Sequence, residues 1–255
     1  MIPLPVAPLT GVTVLVTRPV PQAEALCARI RLAGGEAVAF PTIAIEELSS
    51  TPEFQATDWL IFISMNAVRY GLSRLRRDAN TRIAAIGKAT ADALTERDVR
   101  VDAMPKERAS SEALLEHPAF ADVARKSVLI VKGEGGRELL QDALTQRGAR
   151  VDALEVYRRV CPKPDSGVVA ELERRWRDEG ISVVTLTSVA TLENLLALLS
   201  DSGRSLLKAT PFLTLSERIA AAARNEGIAG ECVLARGGDD AAIVGAIAAW
   251  HARAR

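Results

Sequence analysis

Short apolar runs of Val, Ile and Leu alternate along this chain with amphipathic stretches of helical period, and the alternation occurs twice in the same order. Runs of this kind are buried on both faces, so they specify parallel strands flanked by helices, an α/β fold. In the first occurrence residues 12–17 are a strand, 22–32 a helix stopped by Gly34 and Gly35, and 37–40 the next strand. The plan returns with strand 128–131, helix 137–146, a stop at Gly148 and strand 151–156, which sets Val14, Glu24, Leu26 and Gly34 against Val128, Glu138, Leu140 and Gly148. A second unit also repeats: strand 59–64 with a helix from Ala67 matches strand 183–188 with a helix from Thr191, and Ser64 falls opposite Ser188. The third pair is strand 83–87 with helix 90–96, against strand 212–216 with helix 218–225. The chain therefore reads as a tandem duplication, residues 12–104 and 127–236, that builds two sheets.

At 255 residues and 48% hydrophobic, two such domains can each bury a real core. Lys and Arg number 32, as do Asp and Glu, so no global field draws in nucleic acid or an anionic membrane surface. Anion binding must be local. No apolar run reaches the roughly 18 residues of a membrane span, and residues 1–10 carry three prolines and no basic residue. A cytoplasmic protein is expected, with no membrane or nucleic-acid partner. Cys27, Cys161 and Cys232 form no CxxC pair, and His117 and His251 lie apart from them, so neither a metal site nor a His-based triad is expected.

Each strand-to-helix junction places backbone N–H groups and a helix start at the carboxyl edge of a sheet, where open α/β folds bind ligands. Six junctions here carry hydroxyl, glycine or basic residues: Thr17-Arg18, Ser64-Met65-Asn66, Gly87-Lys88-Ala89-Thr90, Lys132-Gly133-Glu134-Gly135-Gly136-Arg137, Thr187-Ser188 and Ser216-Glu217-Arg218. Singly, each is also what an ordinary helix start looks like. Together they favour a polyanionic ligand, with Lys132 and Arg137 able to take carboxylates beside glycines that let the backbone come close. A dinucleotide reading of the same glycines fails, because Glu138 stands where a third glycine belongs and no Lys-Ser/Thr pair follows. Tyr157 ends an apolar strand and is followed by Arg158-Arg159. It reads equally as a general acid or as a strand-end tyrosine with a packed ring and a wet hydroxyl.

The series Leu15-Val16-Thr17-Arg18-Pro19, Phe40-Pro41, Phe62-Ile63-Ser64-Met65-Asn66, Ile86-Gly87-Lys88-Ala89-Thr90, Gly133 to Arg137, Glu155-Val156-Tyr157-Arg158 and Leu215-Ser216-Glu217-Arg218 resembles the uroporphyrinogen-III synthases. The resemblance runs from Val14 to about Trp250. It implies two similar domains, each a parallel sheet flanked by helices, joined by a two-stranded linker. Residues 1–41 and 158–255 would form one, and 44–156 the other. It implies hydroxymethylbilane, a linear tetrapyrrole, as substrate, no cofactor, and a monomer with at most transient contact with the preceding enzyme of the pathway. Tyr157 would be the catalytic proton donor. Arg18, Ser64, Asn66, Gly87, Thr90, Lys132, Gly133, Gly136, Arg137, Ser188 and Ser216 would bind the substrate. One position departs from the family: Ile219 stands where some relatives have Thr, which throws that junction onto Ser216. The competing class is a non-catalytic two-domain protein that traps an anionic ligand without turning it over.

Overall fold

The computed structural model describes residues 7–49, 57–136 and 138–253. The chain forms two compact units, one holding the residues up to Ala44 and those from Val160 onward, the other Ile45–Arg159. It opens with β1 (Thr13–Val16), α1 (Val20–Leu32) and β2 (Glu36–Ala39). The second unit then holds β3 (Ala44–Glu47), β4 (Trp59–Phe62), α2 (Met65–Gly71), β5 (Arg82–Ala85) and α3 (Lys88–Thr95). It continues with α4 (Ser111–Leu115), β6 (Ser127–Gly133), α5 (Leu139–Gln146) and β7 (Arg150–Val160). Back in the first unit come α6 (Ser166–Asp178), β8 (Val183–Leu186), α7 (Val189–Leu198) and α8 (Asp201–Ala209). The chain closes with β9 (Phe212–Thr214), α9 (Glu217–Asn225), β10 (Cys232–Leu234) and α10 (Asp240–Arg253).

The first unit's sheet has the order β10-β9-β8-β1-β2 and is parallel throughout. The second has the order β3-β7-β6-β4-β5, with β7, β6, β4 and β5 parallel. Four strands of each order correspond, and β3, beside β7, has no counterpart in the first sheet. β1-α1-β2 corresponds to β6-α5-β7, β8 to β4 and β9 to β5, while a lone parallel bridge between Ala84 and Ala103 stands where β10 joins β9. The duplication in the sequence is thus a duplication of topology. Gly34 and Gly148 occupy the same place in the repeat, each at φ +83, the left-handed geometry that ends a helix and that glycine adopts without a Cβ penalty.

Strand burial explains the unbroken apolar runs. Val14 and Val16 enter one cluster of the first unit and Leu15 the other. Leu60 and Phe62 likewise face one core of the second unit, and Trp59 and Ile61 the opposite one. Both faces of both sheets are covered, as parallel sheets require. Trp59 packs its ring 4.8 Å from that of Phe120, which is fully buried. Truncating an aromatic of that kind to alanine costs about 3–5 kcal/mol.

Helices α2 and α7 start earlier than the apolar period suggests. Ala67 and Thr191 are the first buried helical positions, yet each is the third helical residue, because its N–H is capped by the side chain of Ser64 or Ser188. At the other end, β7 runs on to Val160 rather than stopping at 156, with Arg158 paired to Glu46 of β3 at 2.8 Å. Among the described residues no helix is long and apolar enough to cross a membrane.

Candidate functional site at the carboxyl strand ends

In the second unit, parallel β7, β6, β4 and β5 bring Tyr157, the 132–136 loop, Ser64 with Asn66, and Gly87 with Thr90 to one sheet edge. A register shift between Lys132 and Gly133 inserts Val156 as an extra residue of β7. Such a bulge re-aims the side chains that follow it. Leu154 and Val156 face the core by ordinary alternation, and the bulge places neighbouring Tyr157 in the same cluster, 3% exposed. The phenol ring lies over Gly133, where a Cβ would stand 2.5 Å from Cζ. The ring of Tyr70 is 6.3 Å away. The Tyr157 hydroxyl sits 3.1 Å from Ser64 Oγ, which also accepts the Ala67 N–H at 2.9 Å. The structure therefore gives Gly133 a packing reason to be glycine, and Tyr157 a bonded hydroxyl in place of a wet one.

The loop after β6 has a carboxylate of its own. Glu155 Oε1 accepts the Gly135 N–H at 3.0 Å and lies 3.7 Å from Lys132 Nζ. Lys132 is 8% exposed, so its ammonium has little water to replace that partner. Gly135 and Gly136 are left-handed, at φ +69 and +90, a backbone that glycine adopts without a Cβ penalty. Arg137 lies outside the described residues. Gly87 is the N-cap of α3 and is held small by Ala109, which a Cβ would strike. Thr90 is buried in the first turn of the same helix, and Asn66 is half-buried in the first turn of α2.

The first unit brings Arg18, Ser188 and Ser216 to the carboxyl ends of adjacent β1, β8 and β9. Ser188 caps α7 through Thr191 N–H at 3.0 Å and exchanges a 2.8 Å bond with the Thr191 hydroxyl. Ser216 holds the cap position of α9 but makes no side-chain cap bond. Ile219 points into the core at 4% exposure, which suits an apolar residue there. Arg18 pairs with Asp240 of α10 at 2.8 Å, both side chains largely buried. A ligand carboxylate at Arg18 would have to share or displace Asp240. Beneath it, Thr17 and Thr185 bond each other's strands: Thr185 Oγ1 accepts the Thr17 N–H at 3.1 Å and donates to the Leu15 carbonyl at 3.2 Å.

Glu155, Asp240 and Thr185 are site-edge residues that sequence reasoning missed. Of these, only Glu155 carried a signal, as a carboxylate inside an apolar strand two residues before Tyr157. Among the described residues no group of three or more His, Cys, Asp or Glu is placed to hold a metal ion.

Fold and junctions define a class: a duplicated, parallel-sheet α/β protein whose hydroxyls, glycines and cations line the strand ends at which such folds bind ligands. Comparison with known proteins narrows it. Residues 24–243 match the family model described as uroporphyrinogen-III synthase HemD. The uroporphyrinogen-III synthase of Salmonella typhimurium (strain LT2) is 38% identical over 232 residues, 84% of this chain and 92% of that protein. That of Escherichia coli (strain K12) is 35% identical over 228 residues, with the same two coverages, 84% and 92%. The crystal structure of uroporphyrinogen-III synthetase from Helicobacter pylori 26695 shares the fold at a TM-score of 0.61 and 15% identity, covering 94% of this chain and 99% of that one. The chain belongs to the uroporphyrinogen-III synthase family, as its motif series implied.

Proposed function

We propose that this chain catalyses the dehydration, ring-D inversion and cyclisation of hydroxymethylbilane to uroporphyrinogen III, a cyclising hydro-lyase reaction. The observation that carries the reading is the family match over residues 24–243, which spans both units of the fold. A non-catalytic ligand trap has no comparable support.

The chemistry asks little of strong acids. The pyrrole bearing the hydroxymethyl group pushes electrons from its nitrogen into the C–O bond, Tyr157 supplies a proton to the departing oxygen, and water leaves. The substituted α-carbon of ring D then attacks the electrophilic azafulvene carbon to give a spiro-pyrrolenine, which fragments and recloses with that ring inverted. Proton loss restores the aromatic pyrroles and returns the proton. One bilane gives one macrocycle and one water, with no electron gained or lost. No metal or nucleotide is required in this scheme.

What the protein must supply is a folded conformer of a flexible chain that would otherwise close to the wrong isomer. Arg18, Ser64, Asn66, Gly87, Thr90, Lys132, Gly133, Gly136, Arg137, Ser188 and Ser216 are the proposed holders of the substrate's carboxylates, through side chains and through the N–H groups at their helix starts. The protein is proposed to act as a cytoplasmic monomer, meeting the preceding enzyme only transiently. The test is isomer analysis of the product formed from hydroxymethylbilane in chelator-treated buffer. The type III isomer is expected; only the uncatalysed isomer, or activity that returns on adding a metal, would overturn the proposal.

A further inference from the structure

Tyr157 has one hydrogen-bond partner for its hydroxyl among the described residues, and that partner is not idle. Ser64 is the N-cap of α2, and its Oγ accepts the Ala67 N–H at 2.9 Å. A serine hydroxyl carries one proton and two lone pairs. The cap bond takes one lone pair and fixes where Oγ sits, which leaves the Ser64 proton free to point at the Tyr157 oxygen 3.1 Å away. With Ser64 donating, the phenol's own proton is directed away from Ser64. The ring itself is held over Gly133, with the Tyr70 ring 6.3 Å away, so the two oxygens stay within reach and only the O–H rotations choose the donor.

We propose that Ser64 is a positioning residue for Tyr157. Its hydroxyl, aimed by the cap bond, donates to the phenolic oxygen, so that the phenol proton faces the departing hydroxyl of the linear tetrapyrrole. When that proton moves to the leaving oxygen and the C–O bond breaks, the charge left on the phenolate is held by the Ser64 O–H. This assignment rests on Tyr157 being the proton donor of the reaction proposed above. It replaces the simpler role of Ser64 as a carboxylate ligand.

The test is steady-state formation of type III product by Ser64→Ala, Ser64→Thr, Ser64→Asp, Tyr157→Phe and the Ser64→Ala/Tyr157→Phe double variant, with Tm measured for each. Ser64→Ala is expected to lower kcat about three- to tenfold, the worth of one hydrogen bond, with KM changed less than kcat. Ser64→Thr should restore most of the loss. Ser64→Asp keeps an N-cap acceptor but has no proton to give, so it should stay folded and be as slow as Ser64→Ala. The double variant should be no slower than Tyr157→Phe alone. A Ser64→Ala or Ser64→Asp enzyme with wild-type kcat and a raised KM would overturn the inference and return Ser64 to substrate binding. So would losses that multiply in the double variant, or a Tyr157→Phe enzyme as fast as wild type. A wild-type protein that makes no type III isomer would overturn the proposed function instead.

Discussion

A Cβ built onto Gly133 would stand 2.5 Å from Tyr157 Cζ and 2.9 Å from its hydroxyl oxygen. Carbon atoms do not approach that closely, so any side chain at 133 must push the phenol off its shelf or shift β6 against β7. The sequence suggested that bulk at this position blocks the approach of a substrate carboxylate, which would show in KM. The geometry predicts another outcome. Gly133→Ala should lower kcat toward the value of Tyr157→Phe, leave KM closer to wild type, and cost about 1–3 kcal/mol of stability through overpacking. Steady-state kinetics with urea unfolding of the same preparation would check it; a raised KM with unchanged kcat would mean that Gly133 acts through substrate binding alone.

Tyr157→Phe should lower kcat about ten- to a thousandfold, toward or below the low end of the 10²–10⁴ that general acid catalysis typically contributes, because the pyrrole already expels its hydroxyl readily. Phe keeps the packing over Gly133 and against Tyr70, and forfeits one hydrogen bond to Ser64 worth about 0.5–1.5 kcal/mol. A variant with wild-type kcat and a lowered Tm would mean the hydroxyl only anchors the ring.

How much of this could be read from the chain depends on sequence distance. Ser64 and Ser188 were legible as strand ends and helix caps, because a cap is a bond spanning three residues. The parallel sheets were legible because four-residue strands such as Trp59–Phe62 are buried at every position. What pairs with what was not. Arg18 was read as a substrate-binding cation, and its pairing with Asp240, 222 residues away, left no local signal. Glu173 accepts the Ser200 N–H at 2.8 Å and lies where a Cβ on Gly203 would fall, and no local pattern joins these three residues. The burial of Tyr157 depends on a bulge, which breaks the period of two that makes a strand readable.

Asp58 offers a test at the opposite edge of the second sheet, away from the chemistry. Its carboxylate accepts the Ser127 N–H and the Ser127 hydroxyl, each at 2.8 Å, with Lys126 3.3 Å away. The Ser127 N–H, then the Ser127 hydroxyl, then Lys126 hold its carboxyl below the usual aspartate range. A depressed folded-state pKa contributes stability that is complete above the unfolded value, about 3.9, and is lost as pH falls through the folded value. Asp58→Asn should therefore be less stable than wild type at pH 7, with the gap closing as pH falls below about 4 and kcat unaffected. Urea midpoints at a series of pH values would show it; a gap that widens on acidification would contradict the assignment.

Glu155 gives the last prediction, because it places a carboxylate where the substrate's carboxylates are proposed to go. Its Oε1 accepts the Gly135 N–H at 3.0 Å and stands 3.7 Å from the buried Lys132 ammonium, so a ligand anion must displace it or crowd against it. Like charges sharing one cation raise the cost of binding, and Glu155→Gln removes that competition while keeping an oxygen for the Gly135 N–H. Glu155 is 40% exposed, so solvent screens the pair and the effect is modest. The variant should lower KM about two- to fivefold, matching the 0.2–1 kcal/mol typical of partly exposed ion pairs, with kcat little changed. Because the competition is coulombic, the difference between variant and wild type should shrink as salt rises from about 0.05 to 0.5 M. A raised KM would mean that Glu155 instead orients Lys132 for the substrate, and an unchanged KM at low salt would remove the loop after β6 from the binding site.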